Sequence, residues 1–209
     1  MSRYYPVYLN LAGRMCLVVG GGAVAARKAA SLLECGAKVR LVAPKVCETV
    51  ADMEREGAIE RIAGVFRPEQ MDGSALAIGS TDDNEVNRLV FDEAVKRNIP
   101  VNIVDQPALC SFIVPSVVRR GDLVIAVSTS GKSPAVAKRA RMALEKTFGD
   151  EWAAYLEMMG AARERLLSSE PDNATRERKF NRLADSPMLE KIRAGDLAGA
   201  RAAMEEILG

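Results

Sequence analysis

The stretch that most constrains the fold is M-C-L-V-V-G-G-G-A-V-A, residues 15–25. A short apolar run ends at three consecutive glycines, and an alanine-rich helical pattern follows from Ala23 to Cys35. Gly20, Gly22 and Ala25 fit G-x-G-x-x-A, the turn that brings a dinucleotide pyrophosphate to a helix amino terminus. A plain tight turn between strand and helix is the alternative. Because a βαβ spacing follows, we interpret the stretch as a nucleotide-binding loop.

Short apolar segments alternate with helical patterns along the next 90 residues. The spacing predicts strands over 38–42, 59–62, 74–79 and 101–104, and helices over 47–56 and 82–97. Strands that alternate with helices are typical of a parallel sheet. We therefore predict an α/β fold with a Rossmann-type NAD-binding domain over residues 1–112. Residues 4–10 are predicted to form an edge segment, with Pro6 limiting its pairing.

Ligands of open α/β sheets bind beyond the carboxyl ends of the strands. The second strand is followed by Ala43, Pro44 and Lys45, whose backbone we expect beside the adenosine. The Asp or Glu that commonly hydrogen-bonds the ribose hydroxyls of NAD is missing there, so the choice between NAD and NADP is left open. The fourth strand is followed by Ser80 and Thr81, which are plausible cofactor contacts.

Asp105 directly follows the fifth strand. Topology makes it the carboxylate that faces the site. The Gln106-Pro107 pair that follows it is also typical of a turn, and a turn-forming role explains Asp105 equally well.

The pattern changes after residue 110. Two apolar strands, 111–119 and 123–128, are joined by a connection short enough to make them an antiparallel hairpin. An isolated hairpin is not stable alone, so we predict that residues 113–148 form a dimerisation segment and that the protein is a homodimer. The helical pattern of residues 149–209 predicts a small all-helical C-terminal domain.

The loop S-T-S-G-K-S-P, residues 128–134, opens a helix. Hydroxyls, a glycine and a lysine at a helix amino terminus make an anion site. A capped helix with a basic, solvated face is the alternative.

Composition excludes several classes of protein. Twenty-nine basic and 28 acidic side chains give a net charge of +1, which favours neither nucleic acid nor an anionic membrane. The chain contains no histidine, which excludes Ser-His-Asp or Cys-His catalysis and any His-ligated metal site; we expect no metal site. Four scattered cysteines do not indicate a disulfide framework. No run is apolar enough for a membrane span or signal peptide, so we expect a cytoplasmic protein.

Four stretches together resemble the siroheme synthase N-terminal module, the precorrin-2 dehydrogenase / sirohydrochlorin ferrochelatase family. They are Y-P-V-Y-L-N-L, V-V-G-G-G-A-V-A-A-R-K-A, S-T-D-D-N-E-V-N, and V-D-Q-P-A-L-C-S-F-I-V-P-S with A-V-S-T-S-G-K-S-P. The resemblance covers about residues 5–147, and the helical tail fits in length and type only. It implies an intertwined homodimer that oxidises precorrin-2 to sirohydrochlorin with NAD. Insertion of Fe²⁺ is left open, since the chain lacks the histidines that often assist chelatases.

The resemblance also assigns roles to residues. The essential aspartate of the family falls on Asp105, as general base. Cofactor contacts fall on Ala23 and Val24 and on Pro44 and Lys45. Because the tetrapyrrole carries eight carboxylates, we propose as substrate contacts the hydroxyl and cationic residues of the later motifs: Ser111, Arg119, Arg120, Ser128, Thr129, Ser130 and Lys132.

A different class of protein also fits the glycine loop and hairpin. A dinucleotide-sensing Rossmann module without enzymatic activity would need both features, but it would leave Asp105 and the 128–133 loop unexplained. Some family members are fused to a uroporphyrinogen methyltransferase; with Gly209 as the last residue, we expect no such domain here.

Overall fold

The structure, a computed structural model, describes residues 4–209. The chain divides into two compact units, one up to Val114 and one from Pro115 to Gly209. The predicted three-part division, with boundaries at 112/113 and 148/149, stays a prediction. No helix within the described residues is both long and apolar enough to cross a bilayer.

The first unit is built on a five-stranded parallel sheet. Its strands are β1 (Met15–Val19), β2 (Lys38–Val42), β3 (Ile59–Ile62), β4 (Leu76–Gly79) and β5 (Val101–Ile103), in the order β3-β2-β1-β4-β5. The helices are α1 (Ala23–Leu33), α2 (Glu48–Arg55) and α3 (Asn84–Lys96). The strand order reverses between β1 and β4, which is where such sheets bind ligands. The predicted Rossmann-type sheet is confirmed.

Alternate side chains of the central strands feed two apolar clusters. Cys16 and Val18 of β1 belong to the cluster that contains the buried face of α1, whereas Leu17 and Val19 belong to the cluster that contains Val90 of α3. Residues of a strand alternate between the two faces of its sheet, so β1 is buried on both sides.

The ends of α1 and α3 follow from local sequence. Gly36 adopts φ +72° after α1, and the Ala37 N–H donates to the Leu32 oxygen at 3.1 Å. This left-handed termination suits glycine. Asp83 caps α3 by accepting from the Glu85 and Val86 N–H groups at 2.9 and 3.1 Å.

Three local predictions are wrong. Residues 4–10 form no strand and are exposed. Helical spacing predicts that Leu89 of α3 faces inward with Val86, Val90 and Ala94, but Leu89 is 38% exposed, and the polar Asn87 is buried instead, at 2%. The hairpin begins at Ser116 rather than at residue 111, because the Ser111 N–H donates back to the Val101 oxygen at 2.8 Å and holds the preceding segment against β5.

The second unit begins with an antiparallel pair, β6 (Ser116–Arg120) and β7 (Leu123–Val127). Five helices follow: α4 (Pro134–Thr147), α5 (Glu151–Ser169), α6 (Asn173–Ala184), α7 (Met188–Arg193) and α8 (Leu197–Leu208). Leu166, Leu183 and Met188 form the centre of the helical core. The expected helical tail is therefore present.

Candidate cofactor and catalytic site

The first glycine of the loop allows a close approach between two strand ends. Gly20 has φ +129°, and a Cβ there would lie 2.5 Å from the Ser80 carbonyl oxygen. The Ser80 N–H and hydroxyl both donate to the Val19 oxygen, at 2.8 and 3.1 Å. The residues that follow β1 and β4 are thus locked together at the carboxyl edge of the sheet.

The second glycine packs against the segment that follows β2. A Cβ on Gly21 would overlap the Lys45 carbonyl oxygen and lie 2.9 Å from the Ala43 Cβ. The Gly21 oxygen accepts from the Cys47 N–H at 2.8 Å. Gly21, which the fingerprint leaves unspecified, therefore has a structural role in joining the loop to the amino end of α2.

The third glycine faces open space. A Cβ on Gly22 would meet nothing within 4 Å, although its φ of −84° is accessible to any residue. The first helical hydrogen bond of α1 runs from the Ala26 N–H to the Gly22 oxygen, so the N–H groups of Ala23, Val24 and Ala25 precede it. A helix start without a capping side chain and with space before it fits a bound pyrophosphate.

Asn87 supports the segment that follows β4. Its side-chain amide donates to the Thr81 oxygen at 2.8 Å, while its Oδ1 has no hydrogen-bond partner. Gly79 leaves room for that oxygen, since a Cβ there would lie 2.8 Å from it. Asn87 thereby fixes the Ser80–Thr81 backbone, a role that the sequence analysis missed. A polar residue three positions before the inward Val90 is the signal that could have revealed it.

Asp105 lies just beyond β5 at the same edge. It is exposed and has φ +60°, an unusual conformation that aspartate tolerates better than most residues. The Val104 N–H donates to the Gly79 oxygen at 2.9 Å, so Asp105 stands one residue from the end of β4. Strained residues in such positions are often functional.

The chain after Asp105 folds back on β5. Cys110 forms a bridge with Asn102, and the Asn102 amide donates to the Phe112 oxygen at 3.0 Å. The Cys110 thiol donates to the Ile103 and Gln106 oxygens, and burial raises its pKa. These contacts hold the turn that presents Asp105.

Lys28 lies on α1, which starts at the glycine loop, and it is another residue that the sequence analysis missed. Burial and the neighbouring Arg27 lower the pKa of its amine, and the Asp105 carboxylate acts in the opposite direction. Asp105 is therefore close enough to interact electrostatically with this cation.

The structure brings the predicted cofactor residues together within the first unit. The glycine loop, which includes Gly20, Gly22, Ala23, Val24 and Ala25, contacts the Ala43-Pro44-Lys45 segment through Gly21. Through Gly20 it contacts Ser80, which Thr81 follows in the chain. Ser111 belongs to the same unit, where its hydroxyl accepts from the Val101 N–H at 2.8 Å.

The other predicted substrate residues lie in the second unit. Arg119 and Arg120 are on β6; Ser128, Thr129, Ser130 and Lys132 lie between β7 and α4. The Thr129 hydroxyl accepts from the Ser133 N–H at 3.1 Å and donates to the Ser133 oxygen. Ser130 and Gly131 have φ +53° and +81°, so the loop is a compact turn. Ser130 and Lys132 are exposed on it.

The described part of the chain contains no cluster of side chains suited to binding a metal ion. Residues 4–209 hold no group of three or more Cys, Asp or Glu side chains that could bind a metal ion.

Comparison with known proteins agrees with this site. The model of a family described as "Putative NAD(P)-binding" matches residues 7–116, the unit that carries the glycine loop. The prediction of an NAD-binding domain is confirmed, whereas the individual loop contacts stay predictions.

Curated relatives extend the similarity to nearly the whole chain. The chain is 41% identical to a siroheme synthase of Methylobacillus flagellatus over 207 residues, which are 97% of this chain and 44% of that protein. It is 37% identical to a siroheme synthase of Thioalkalivibrio sulfidiphilus, over 98% of this chain and 42% of that protein. The resemblance inferred from the motifs is confirmed, and the chain spans less than half the length of these relatives.

A solved structure matches at full length. "SirC, precorrin-2 dehydrogenase" superposes with a TM-score of 0.81 at 25% identity, over 98% of each chain. The two proteins therefore share the fold across both units.

Proposed function

Because this chain belongs to the NAD(P)-binding family whose model covers residues 7–116, we propose that it is an NAD-dependent precorrin-2 dehydrogenase. The reaction converts precorrin-2 and NAD⁺ into sirohydrochlorin, NADH and a proton. The observation that carries the proposal is the full-length match to a precorrin-2 dehydrogenase structure, together with Asp105 at the carboxyl edge of the sheet.

The first unit offers a cradle for the cofactor. NAD supplies a hydride acceptor. The open space at Gly22 and the N–H groups of Ala23 and Val24 would hold its pyrophosphate. The backbone of Ala43, Pro44 and Lys45 would line the adenosine end, and Ser80 and Thr81 border the loop from the β4 side.

Asp105 supplies the base. Loss of hydride from the macrocycle must be matched by loss of a proton, and an exposed carboxylate on a rigid turn can accept it. The Lys28 ammonium is near enough to interact electrostatically with the Asp105 carboxylate.

Substrate contacts complete the proposal. Precorrin-2 carries eight carboxylates, which pair well with arginine, lysine and hydroxyl donors. We assign this role to Ser111, Arg119, Arg120, Ser128, Thr129, Ser130 and Lys132. The exposure of Ser130 and Lys132 on their turn supports it.

The test is anaerobic incubation with enzymatically generated precorrin-2 and NAD, following sirohydrochlorin by absorbance. The key variant is Asp105→Asn, because asparagine also tolerates a positive φ. We expect turnover to fall about 10²- to 10⁴-fold, the usual contribution of a general base, while NADH still binds. Asp92→Asn, which removes an exposed carboxylate paired with Arg88 on α3, serves as the matched control. Wild-type protein that binds NADH but leaves precorrin-2 unchanged would instead identify a dinucleotide sensor.

Iron insertion is the second activity to test, because the relatives are named siroheme synthases and siroheme contains iron. The reaction consumes sirohydrochlorin and Fe²⁺ and releases two protons, for which Asp105 is the proposed acceptor. Addition of Fe²⁺ to the same cuvette, with wild type and Asp105→Asn, distinguishes a bifunctional enzyme from a dehydrogenase alone.

Assembly into a homodimer and a cytoplasmic location also belong to this proposal. The hairpin has only two strands, and Val117 and Val136 of this unit are 37% and 55% exposed. Small sheets gain stability from further partners. Sedimentation of the intact chain should give a dimer, and Val117→Lys should shift it towards the monomer; a monomeric wild type would contradict this part.

A further inference from the structure

A cavity of about 400 Å³ lies in the first unit, at the amino ends of β1, β4 and β5. Arg14, Ser74, Arg97 and Pro100 contribute to its wall. The glycine loop follows the opposite ends of these strands. Since β1 has five residues, the two edges are separated by about 17 Å. The cavity is therefore separate from the proposed cofactor position.

Ser74 is the unusual residue of this wall. It is only 8% exposed, and its hydroxyl is buried without a hydrogen-bond partner. Its backbone N–H is satisfied by the Met71 oxygen at 3.0 Å. An unpaired buried hydroxyl destabilises a protein, and most such groups have a partner. Because Ser74 lines the cavity, its hydroxyl is a candidate hydrogen-bond donor to a ligand there.

The charges around the cavity leave one positive charge uncompensated. Arg97 pairs with Glu93 and with Asp72, and Lys96 also pairs with Glu93 at 2.6 Å. Arg14 is exposed, and its guanidinium makes no ion pair within residues 4–209. The cavity thus combines an available guanidinium with an unsatisfied hydroxyl.

We propose that this cavity is a second binding site, which takes a small molecule bearing a carboxylate or phosphate group. Arg14 binds the oxyanion, because a guanidinium presents two parallel N–H donors to such groups. The Ser74 hydroxyl donates a further hydrogen bond, and Arg97 borders the site as an already neutralised cation. The volume lies within the range of small-molecule sites.

Thermal unfolding with added ligand tests the proposal, since a ligand that binds the folded state raises Tm in a saturable way. The probes are inorganic phosphate and sodium malonate, each compared with sodium chloride at equal ionic strength. The probe with the lower apparent Kd shows whether the site prefers phosphate or carboxylate. The variants are Arg14→Gln and Ser74→Ala, and Lys45→Gln at the opposite edge is the control.

We expect a saturable rise in Tm for wild type and Lys45→Gln, and at least tenfold weaker apparent binding for Arg14→Gln. Ser74→Ala should unfold at a higher temperature than wild type without probe, and this advantage should shrink as probe is added. A response abolished by Lys45→Gln would place the anion at the opposite edge of the sheet and overturn the proposal. An equal advantage of Ser74→Ala with and without probe, or no saturable response to either probe, would also overturn it. These outcomes do not depend on dehydrogenase activity.

Discussion

Gly21 and Gly22 are neighbours, yet the structure predicts opposite effects when each is replaced by alanine. A methyl group on Gly21 overlaps the Lys45 carbonyl oxygen and crowds the buried Ala43 at 2.9 Å. Neither neighbour is a flexible side-chain end, so the backbone must shift. Overpacking of this kind costs about 1–3 kcal/mol. For a chain of this size, the corresponding fall in Tm is about 2–12 °C.

Gly22→Ala should leave the fold intact. No atom lies within 4 Å of the new methyl group, and φ is −84°. Alanine reduces the conformational entropy of the unfolded chain, which stabilises the folded protein. It is, however, less favourable than glycine at the N-cap position of a helix. These effects oppose each other, so the free energy of unfolding should change by less than about 1 kcal/mol. The methyl group instead fills the space through which a pyrophosphate approaches the backbone. We expect NADH affinity to fall at least tenfold, about 1.4 kcal/mol.

Two measurements on the same preparations separate these effects. Urea unfolding followed by circular dichroism gives the stability, and titration of NADH fluorescence gives the affinity. Wild-type NADH affinity in Gly22→Ala would show that the pyrophosphate does not lie against this residue. Wild-type stability in Gly21→Ala would refute the close packing against Lys45.

Three further predictions concern other residues. Asn87→Asp places a carboxylate against the Thr81 oxygen in place of a hydrogen-bond donor, so the free energy of unfolding at pH 8 should fall by about 1–3 kcal/mol. The loss should recover as the pH is lowered, which urea unfolding at several pH values measures. A pH-independent loss would contradict this prediction. Cys16 is fully buried, and burial raises its thiol pKa to about 11, so Ellman's reagent should modify it only after unfolding. Mass spectrometry of the folded protein after reaction measures this, and modified Cys16 in that sample would contradict the prediction. Hydrogen bonds from Lys96 and Arg97 hold the pKa of Glu93 below its usual 4.5. Its contribution to stability is therefore complete above pH 4.5 and is lost as the pH falls through the lower pKa of the folded state. Glu93→Gln should weaken the dependence of the urea unfolding midpoint on pH in this acidic range, and an unchanged dependence would argue against the pairing.

The parallel sheet was predictable because each of its parts has a local signal. The β1 run is apolar at every position and ends at glycines, and Gly36 terminates α1 in the conformation that glycine favours. The position of Asp105 after β5 follows from topology alone. Its part in the reaction was suggested by the resemblance, and it stays a prediction.

The errors arise where tertiary contacts override local pattern. Leu89 was expected inside because helical spacing favours apolar residues there, but the Thr81 carbonyl needs the buried amide of Asn87 on that face. The apolar run from residue 111 suggested a continuous strand, whereas Ser111 is held by Val101. Ser74 and Arg14 line the same cavity although they are 60 positions apart in the sequence, a proximity that no local pattern indicates.

The return of the chain along β5 also affects how the protein behaves at high concentration. The outermost strand of an open sheet exposes N–H and carbonyl groups that can recruit strands from other molecules. Here the N–H and carbonyl groups of Val101 are both occupied by Ser111, at 2.8 Å each. The turn that presents Asp105 therefore also blocks sheet extension at β5, and a variant that loosened this turn would be prone to aggregate.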